Sequence, residues 1–216
     1  TAENMMQKLA IISSLVAGED IIYPKEITDI DFAYLLAFVR KNSIMSPLQY
    51  NLTCQEKTCS NNFIYQVNFD AICENASSAD FTEYEFKNTD ANGVSYEFLV
   101  GQNNFETYII FISLISKLAK DNQSEAYKME RMYSFIPKIK GIKIDGEEIA
   151  FNDMTISEKI SIIEALDNNT IFGPSGLLKF VSEKIKPVRL FEEVHCPKCK
   201  NVYNGMIATV DDFFVF

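Results

Sequence analysis

Cys54-Gln55-Glu56-Lys57-Thr58-Cys59 and Cys196-Pro197-Lys198-Cys199 are the two stretches on which the reading of this chain turns. They hold four of its five cysteines, as C-x4-C and CPKC, with well over a hundred residues between them. A tight turn between two cysteines presents two thiolates to one ion, and zinc takes four such soft ligands in a tetrahedron. The pattern therefore predicts one structural Zn2+ held by Cys54, Cys59, Cys196 and Cys199. The two stretches also continue alike: Ser60-Asn61-Asn62-Phe63 after the first pair and Lys200-Asn201-Val202-Tyr203 after the second, each with an aromatic residue four positions beyond the last cysteine. Two knuckles that both run on as strands read as the halves of a split zinc ribbon. Joining them closes a long loop, whose entropy cost grows only with the logarithm of its length.

Other readings of the same residues stay open at this point. Buried thiols behave as small hydrophobes and pair up by chance. A disulfide framework is a further possibility, although 216 residues are enough to build a core without staples. Cys196 and Cys199 also have the spacing of a redox pair. Cys73 has no partner in the pattern and is expected to be a core thiol. His195, the sole histidine, directly precedes Cys196 and could replace one sulfur as a ligand.

Outward from the knuckles the chain alternates between short β patterns and helical ones. Met5, Leu9, Ile12 and Val16 recur at helical spacing before Gly18. A second helix is expected from Thr28 or Asp29 to Arg40 and Lys41, apolar around most of its axis and so buried. Pro47 breaks the chain, and residues 50–54 and 63–69 form the hairpin of the first knuckle. Tyr84 and Phe86 alternate with acids, as do Val94, Tyr96 and Phe98 with polar residues, and Asn92-Gly93 between them is a hairpin turn. Helices follow at 105–120, apolar enough to be central, and at 124–135. Asp145-Gly146 turns a small hairpin between 139–144 and 148–151. Thr155-x-x-Glu158 is a capping box before Ile160, Ile163 and Leu166. A last helix starts near Ser175 and ends at Pro187.

The fold class expected is α+β: one domain over 1–216, with a helical lobe at 105–186 inserted between two cysteine knuckles. The first knuckle and its β region occupy 50–104. The second knuckle and a C-terminal strand occupy 187–216.

Composition narrows the function. The formal charge of −10 opposes the phosphate-binding surface that nucleic-acid affinity requires. Leu9 to Ala17 has the length of a signal-peptide core, but Glu3 precedes it and no small-residue cleavage motif follows. No run approaches the roughly 20 apolar residues that span a bilayer. The reading is a soluble intracellular protein. Four thiolates leave zinc no open position for water, so the metal is structural and not catalytic. One histidine beside a knuckle leaves no base for a serine or cysteine nucleophile. Phe172-Gly173-Pro174-Ser175-Gly176 lacks the Gly-Lys-Ser/Thr of a phosphate loop and reads as a turn into a serine-capped helix. The acidic pairs Glu147-Glu148, Glu192-Glu193 and Asp211-Asp212 read as solvated surface. No enzyme is expected.

The order of these motifs resembles the baseplate hub-assembly family of contractile-tailed bacteriophages of the T-even type. It rests on Tyr23-Pro24, the acid-led helix Asp31 to Arg40 with Ser43, the first knuckle, Asp145-Gly146-Glu147, CPKC and Asp212-Phe213-Phe214, spanning about residues 22 to 214. The first knuckle departs from a typical C-x2-C, and Lys200 stands where glycine is common. The resemblance implies a non-enzymatic role in the host cytoplasm or the finished virion baseplate, with other hub or tail proteins as partners. Apart from the resemblance, the aromatic tail Asp211 to Phe216, a terminal strand beside a knuckle, is the candidate anchor for a partner, with burial of Phe213, Phe214 and Phe216 in the chain's own core as the alternative. The rival reading is a zinc-ribbon regulator or nucleic-acid-associated protein, for which the scattered lysines and arginines offer no basic patch.

Overall fold

The computed structural model describes residues 7, 23, 26–43, 47–186 and 193–203. The first expected helix apart from Gln7, together with Pro24, Pro187, Glu192 and the tail 211–216, lies outside these residues. The described residues are mixed α and β and divide into two compact units, one taking 80–186 with 26–29, the other 30–43, 47–79 and 193–203. The division at 79/80 cuts through the 50–104 segment that the sequence groups with the first knuckle.

The cysteine unit contains helix α1 (Asp29–Ser43) from Ile30 onward, the hairpin β1 (Gln49–Thr53) and β2 (Asn62–Gln66), and helix α2 (Phe69–Ser77). Helix α1 buries Ile30, Phe32, Leu36, Ala37, Val39 and Arg40, whereas Phe38 is 41% exposed, so one face and not the whole axis is covered. Arg40, in the last turn where its charge suits a helix C-terminus, is 2% exposed. β2 stops at Gln66, short of the expected Phe69. Asn68 takes an extended conformation and its side chain accepts the N–H of Ala71, which starts α2, and Ile72 and Ala76 bury one side of that helix. Cys73 lies on α2 and is half-buried, so it is not the core thiol expected. Lys41 reaches from α1 to Asp70 at the start of α2.

The other unit is built on a four-stranded antiparallel sheet in the order β3 (Tyr84–Thr89), β4 (Ser95–Val100), β5 (Ile139–Ile144), β6 (Glu147–Ile149). The hairpin at 84–100 thus shares its sheet with strands from the segment expected to be a helical insertion. Alternation explains why: Phe86, Tyr96, Phe98, Val100, Ile139 and Ile142 bury one face. On the other face Lys87 pairs with Glu97, Glu97 with Lys143 and Lys143 with Glu148, a row of alternating charge across all four strands. Gly93 has φ +86°, and Asp145 and Gly146 have φ +50° and +82°, the left-handed geometry that tight hairpin turns demand.

Helices α3 (Phe105–Asp121), α4 (Gln123–Tyr133), α5 (Ile156–Ala165), α6 (Asn168–Phe172) and α7 (Leu177–Lys184) complete this unit. Its apolar cluster joins the buried sheet face to Phe111, Phe135, Phe151, Ile163, Ile171, Leu177 and Val181. α3 buries only Phe105 and Phe111 and leaves Ile110 39% exposed, so it flanks the core and does not run through it. The capping box forms as expected, with Thr155 and Glu158 bonding reciprocally. The turn after Phe172 differs from expectation. Gly176, not Ser175, caps α7, with no side-chain bond, and a Cβ there would lie 2.8 Å from the Ile171 carbonyl oxygen. The missed helix α6 starts from Asp167, whose carboxylate accepts the N–H of Thr170.

Candidate metal centre

The cysteine unit brings all four predicted sulfurs together. Each knuckle is a turn at the end of a two-stranded hairpin: β1/β2 for the first, β7 (Val194–His195) and β8 (Val202–Tyr203) for the second. The two are built alike. Thr53 pairs with Asn62 and His195 with Val202, so both turns leave the ladder at the same point. Inside each, the first cysteine donates its N–H to the carbonyl of an asparagine two residues past the second cysteine: Cys54 to Asn61 at 2.8 Å, Cys196 to Asn201 at 2.9 Å. The residue directly after the second cysteine then lies in the left-handed region, Ser60 at φ +43° and Lys200 at φ +62°. This is where glycine would rest without strain, which explains both why it is common after such a pair and what Lys200 costs. The two extra residues of C-x4-C are absorbed before Cys59, where Glu56 accepts the N–H groups of Cys59 and Ser60.

The sulfurs of Cys54, Cys59, Cys196 and Cys199 all lie within 4.8 Å of one another. Cys54 and Cys199 are 3.6 Å apart, Cys59 and Cys196 3.8 Å. A disulfide holds its sulfurs at about 2.05 Å, so these are free thiols. A tetrahedron with metal–sulfur bonds of about 2.3 Å has edges of about 3.8 Å, and the contacts between the knuckles have that length. The donor set fits a four-coordinate thiophilic cation. Among the described residues no histidine or carboxylate joins the group. His195 is exposed, with Nε2 4.0 Å from Glu193 Oε2, so it is not a fourth ligand.

Burial is uneven: Cys54 is 3% and Cys196 0% exposed, whereas Cys59 is half-buried and Cys199 exposed. The N–H of Cys199 points at Cys196 and, with that of Lys198, outweighs burial to hold its thiol down at about 6. Asn61 Nδ2 adds a long donor to the same sulfur at 4.0 Å. Cys199 receives the N–H of Asn201, yet burial and the sulfurs of Cys59, Cys54 and Cys196 push it up to about 12. Crowded thiols cannot all ionise unaided, and a divalent cation at their centre would remove the conflict.

Sequence reasoning named the four cysteines that cluster but passed over Asn61 and Asn201, whose carbonyls close the turns. The signal was present, since both pairs are followed at the second position by asparagine. Away from the sulfurs, a hollow of about 430 Å³ beside Asn51, Thr53, Asn62 and Ile64 contains no ionisable group. Glu147 and Glu148 are exposed on β6, and Glu148 faces Lys143. Among the described residues no helix is long and apolar enough to cross a membrane. Compared with protein families, curated proteins and solved structures, the chain matches none.

Proposed function

We propose that Cys54, Cys59, Cys196 and Cys199 hold one structural zinc ion in a zinc-ribbon-like pair of knuckles. The chain then acts by binding other proteins, as an assembly or structural component of a phage tail baseplate hub. The observation that carries the metal reading is the set of four sulfurs within 4.8 Å of one another, two of the contacts at tetrahedral-edge length, with no further ligand beside them among the described residues. A shell of four thiolates is closed to water, which supports a structural ion and a protein without turnover of its own. The baseplate setting rests on the order of sequence motifs. The acidic charge of −10 favours a partner with a basic surface, whose encounter is steered electrostatically while apolar contacts hold the complex.

Elemental analysis of the purified chain tests the first part. One zinc per chain is expected, and a metal-free protein whose four thiols titrate freely overturns it. Co-expression with hub, tape-measure and tail-tube proteins tests the second. Recovery of a stoichiometric complex is expected, with association slowed by salt more than the complex is weakened. A chain recovered alone in every combination refutes the partner claim.

A further inference from the structure

We propose that this centre is also an oxidation site in which disulfides form across the knuckles, Cys54 with Cys199 and Cys59 with Cys196, so that the two chain segments stay joined after the metal leaves. The inference rests on the zinc reading for the resting state and on sulfur geometry for the products. The contacts at 3.6 Å and 3.8 Å both run between knuckles, and together they use each sulfur once. Both bonds can therefore form in the same molecule. Each contact couples the more exposed residue of a knuckle to the buried residue of the other: Cys199 is exposed and Cys54 3% exposed, Cys59 half-buried and Cys196 fully buried. A peroxide meets the accessible member first, and the buried member is already in place to resolve the product.

The chemistry balances with hydrogen peroxide as the oxidant. The Cys199 thiolate attacks one peroxide oxygen; the S–O bond forms, the O–O bond breaks, and hydroxide leaves to be protonated to water. Cys54 then attacks the sulfenic sulfur; the S–S bond forms, the S–O bond breaks, and a second water departs. Cys59 and Cys196 repeat the sequence. One Zn2+ with its four thiolates, two peroxides and four protons give two disulfides, four waters and one released Zn2+. These bonds link positions 145 and 137 residues apart, so the oxidised form keeps the long-range closure that the ion supplied.

The test uses the full chain, purified under reducing conditions, with its metal content measured before oxidation. After hydrogen peroxide treatment, a chromogenic chelator follows zinc release and non-reducing tryptic mass spectrometry maps the bonds. Lys57 and Lys198 fall between the members of each pair, so trypsin places the four cysteines on four different peptides. Expected are full loss of the four thiols, stoichiometric zinc release, and Cys54–Cys199 with Cys59–Cys196 as the dominant links. Dominant Cys54–Cys59 and Cys196–Cys199 links, or sulfinic acids without disulfide, overturn the proposal. In a Cys199→Ser variant, Cys59–Cys196 should still form and Cys54 stay free; a Cys54–Cys59 bond with Cys196 free overturns it as well. Cross-knuckle links in a chain purified without metal would sink the zinc reading alone, whereas within-knuckle links in a zinc-loaded chain would sink only this one.

Discussion

The two compact units gather different side chains at their centres. The unit at 80–186 closes an apolar cluster from one sheet face and five helices, with Phe98, Phe111, Phe135 and Phe151 each 1% exposed. The cysteine unit has two hairpins of two strands each, and isolated hairpins are marginal in water. Its hairpins meet at sulfur. The sheet unit is stabilised by area removed from water; on the zinc reading proposed above, the cysteine unit adds a coordination shell to the apolar residues that α1 and α2 bury, so the same chain should respond to two unrelated kinds of damage.

The largest effect is expected from removing a sulfur. Cys199→Ser, or chelation of the wild type, should release the hairpins from one another, since structural zinc in finger peptides supplies on the order of 10–16 kcal/mol of apparent binding free energy. Hydrogen exchange should collapse at 49–66 and 194–203 while 84–100 and 139–149 stay protected. Equal loss of protection in both units would break the comparison. Phe98→Ala is the converse experiment. It should cost about 3–5 kcal/mol in a denaturant midpoint assay with zinc content unchanged.

Alkali sharpens the contrast further. Burial, and then the hydrogen bond to Glu164 at 2.6 Å, push the Tyr133 hydroxyl from an ordinary 10.0 up to about 12. The folded state then keeps a proton that the unfolded chain has lost, so stability is full below pH 10 and falls as pH rises towards about 12. Tyr133→Phe should remove on the order of 2 kcal/mol of that decline, read from unfolding curves across the window. The smallest effect belongs to Lys200→Gly. Relief of the left-handed strain, offset by the entropy glycine loses on folding, should stabilise the second knuckle by up to ~1 kcal/mol, visible as slower zinc loss to a competing chelator.

Much of the sheet unit was legible because its signals are local. Asn92-Gly93, Asp145-Gly146 and Thr155-x-x-Glu158 each act within a few residues, and each does in the structure what its chemistry demands. The cysteine cluster was legible for another reason, since few residue types suit a soft cation. What escaped was nonlocal or short. No pattern in 84–100 says that β4 will pair with β5 instead of remaining beside the knuckle, because that pairing depends on which apolar faces find each other. α2 and α6 are too short to display a period, and only their caps, Asn68 and Asp167, mark them. The apolar run in α3 suggested a central helix, yet burial follows what packs against a face and not hydropathy alone.

The row Lys87, Glu97, Lys143, Glu148 also has a meaning for how the sheet finds its alignment. β4 and β5 must meet after two helices have intervened, and a strand that slides by two residues keeps its apolar side inward, so hydrophobicity alone does not detect the error. Charge does. Sliding β3 by two residues along β4 sets Glu85 against Glu97 in one direction and Thr89 against Glu97 in the other; either way the Lys87 contact is lost. Cross-strand pairs differ by only about 0.2–1 kcal/mol each. Spread over four strands, these small preferences act as a proofreading code written on the solvent side. Protonating the glutamates in acid erases half of its letters.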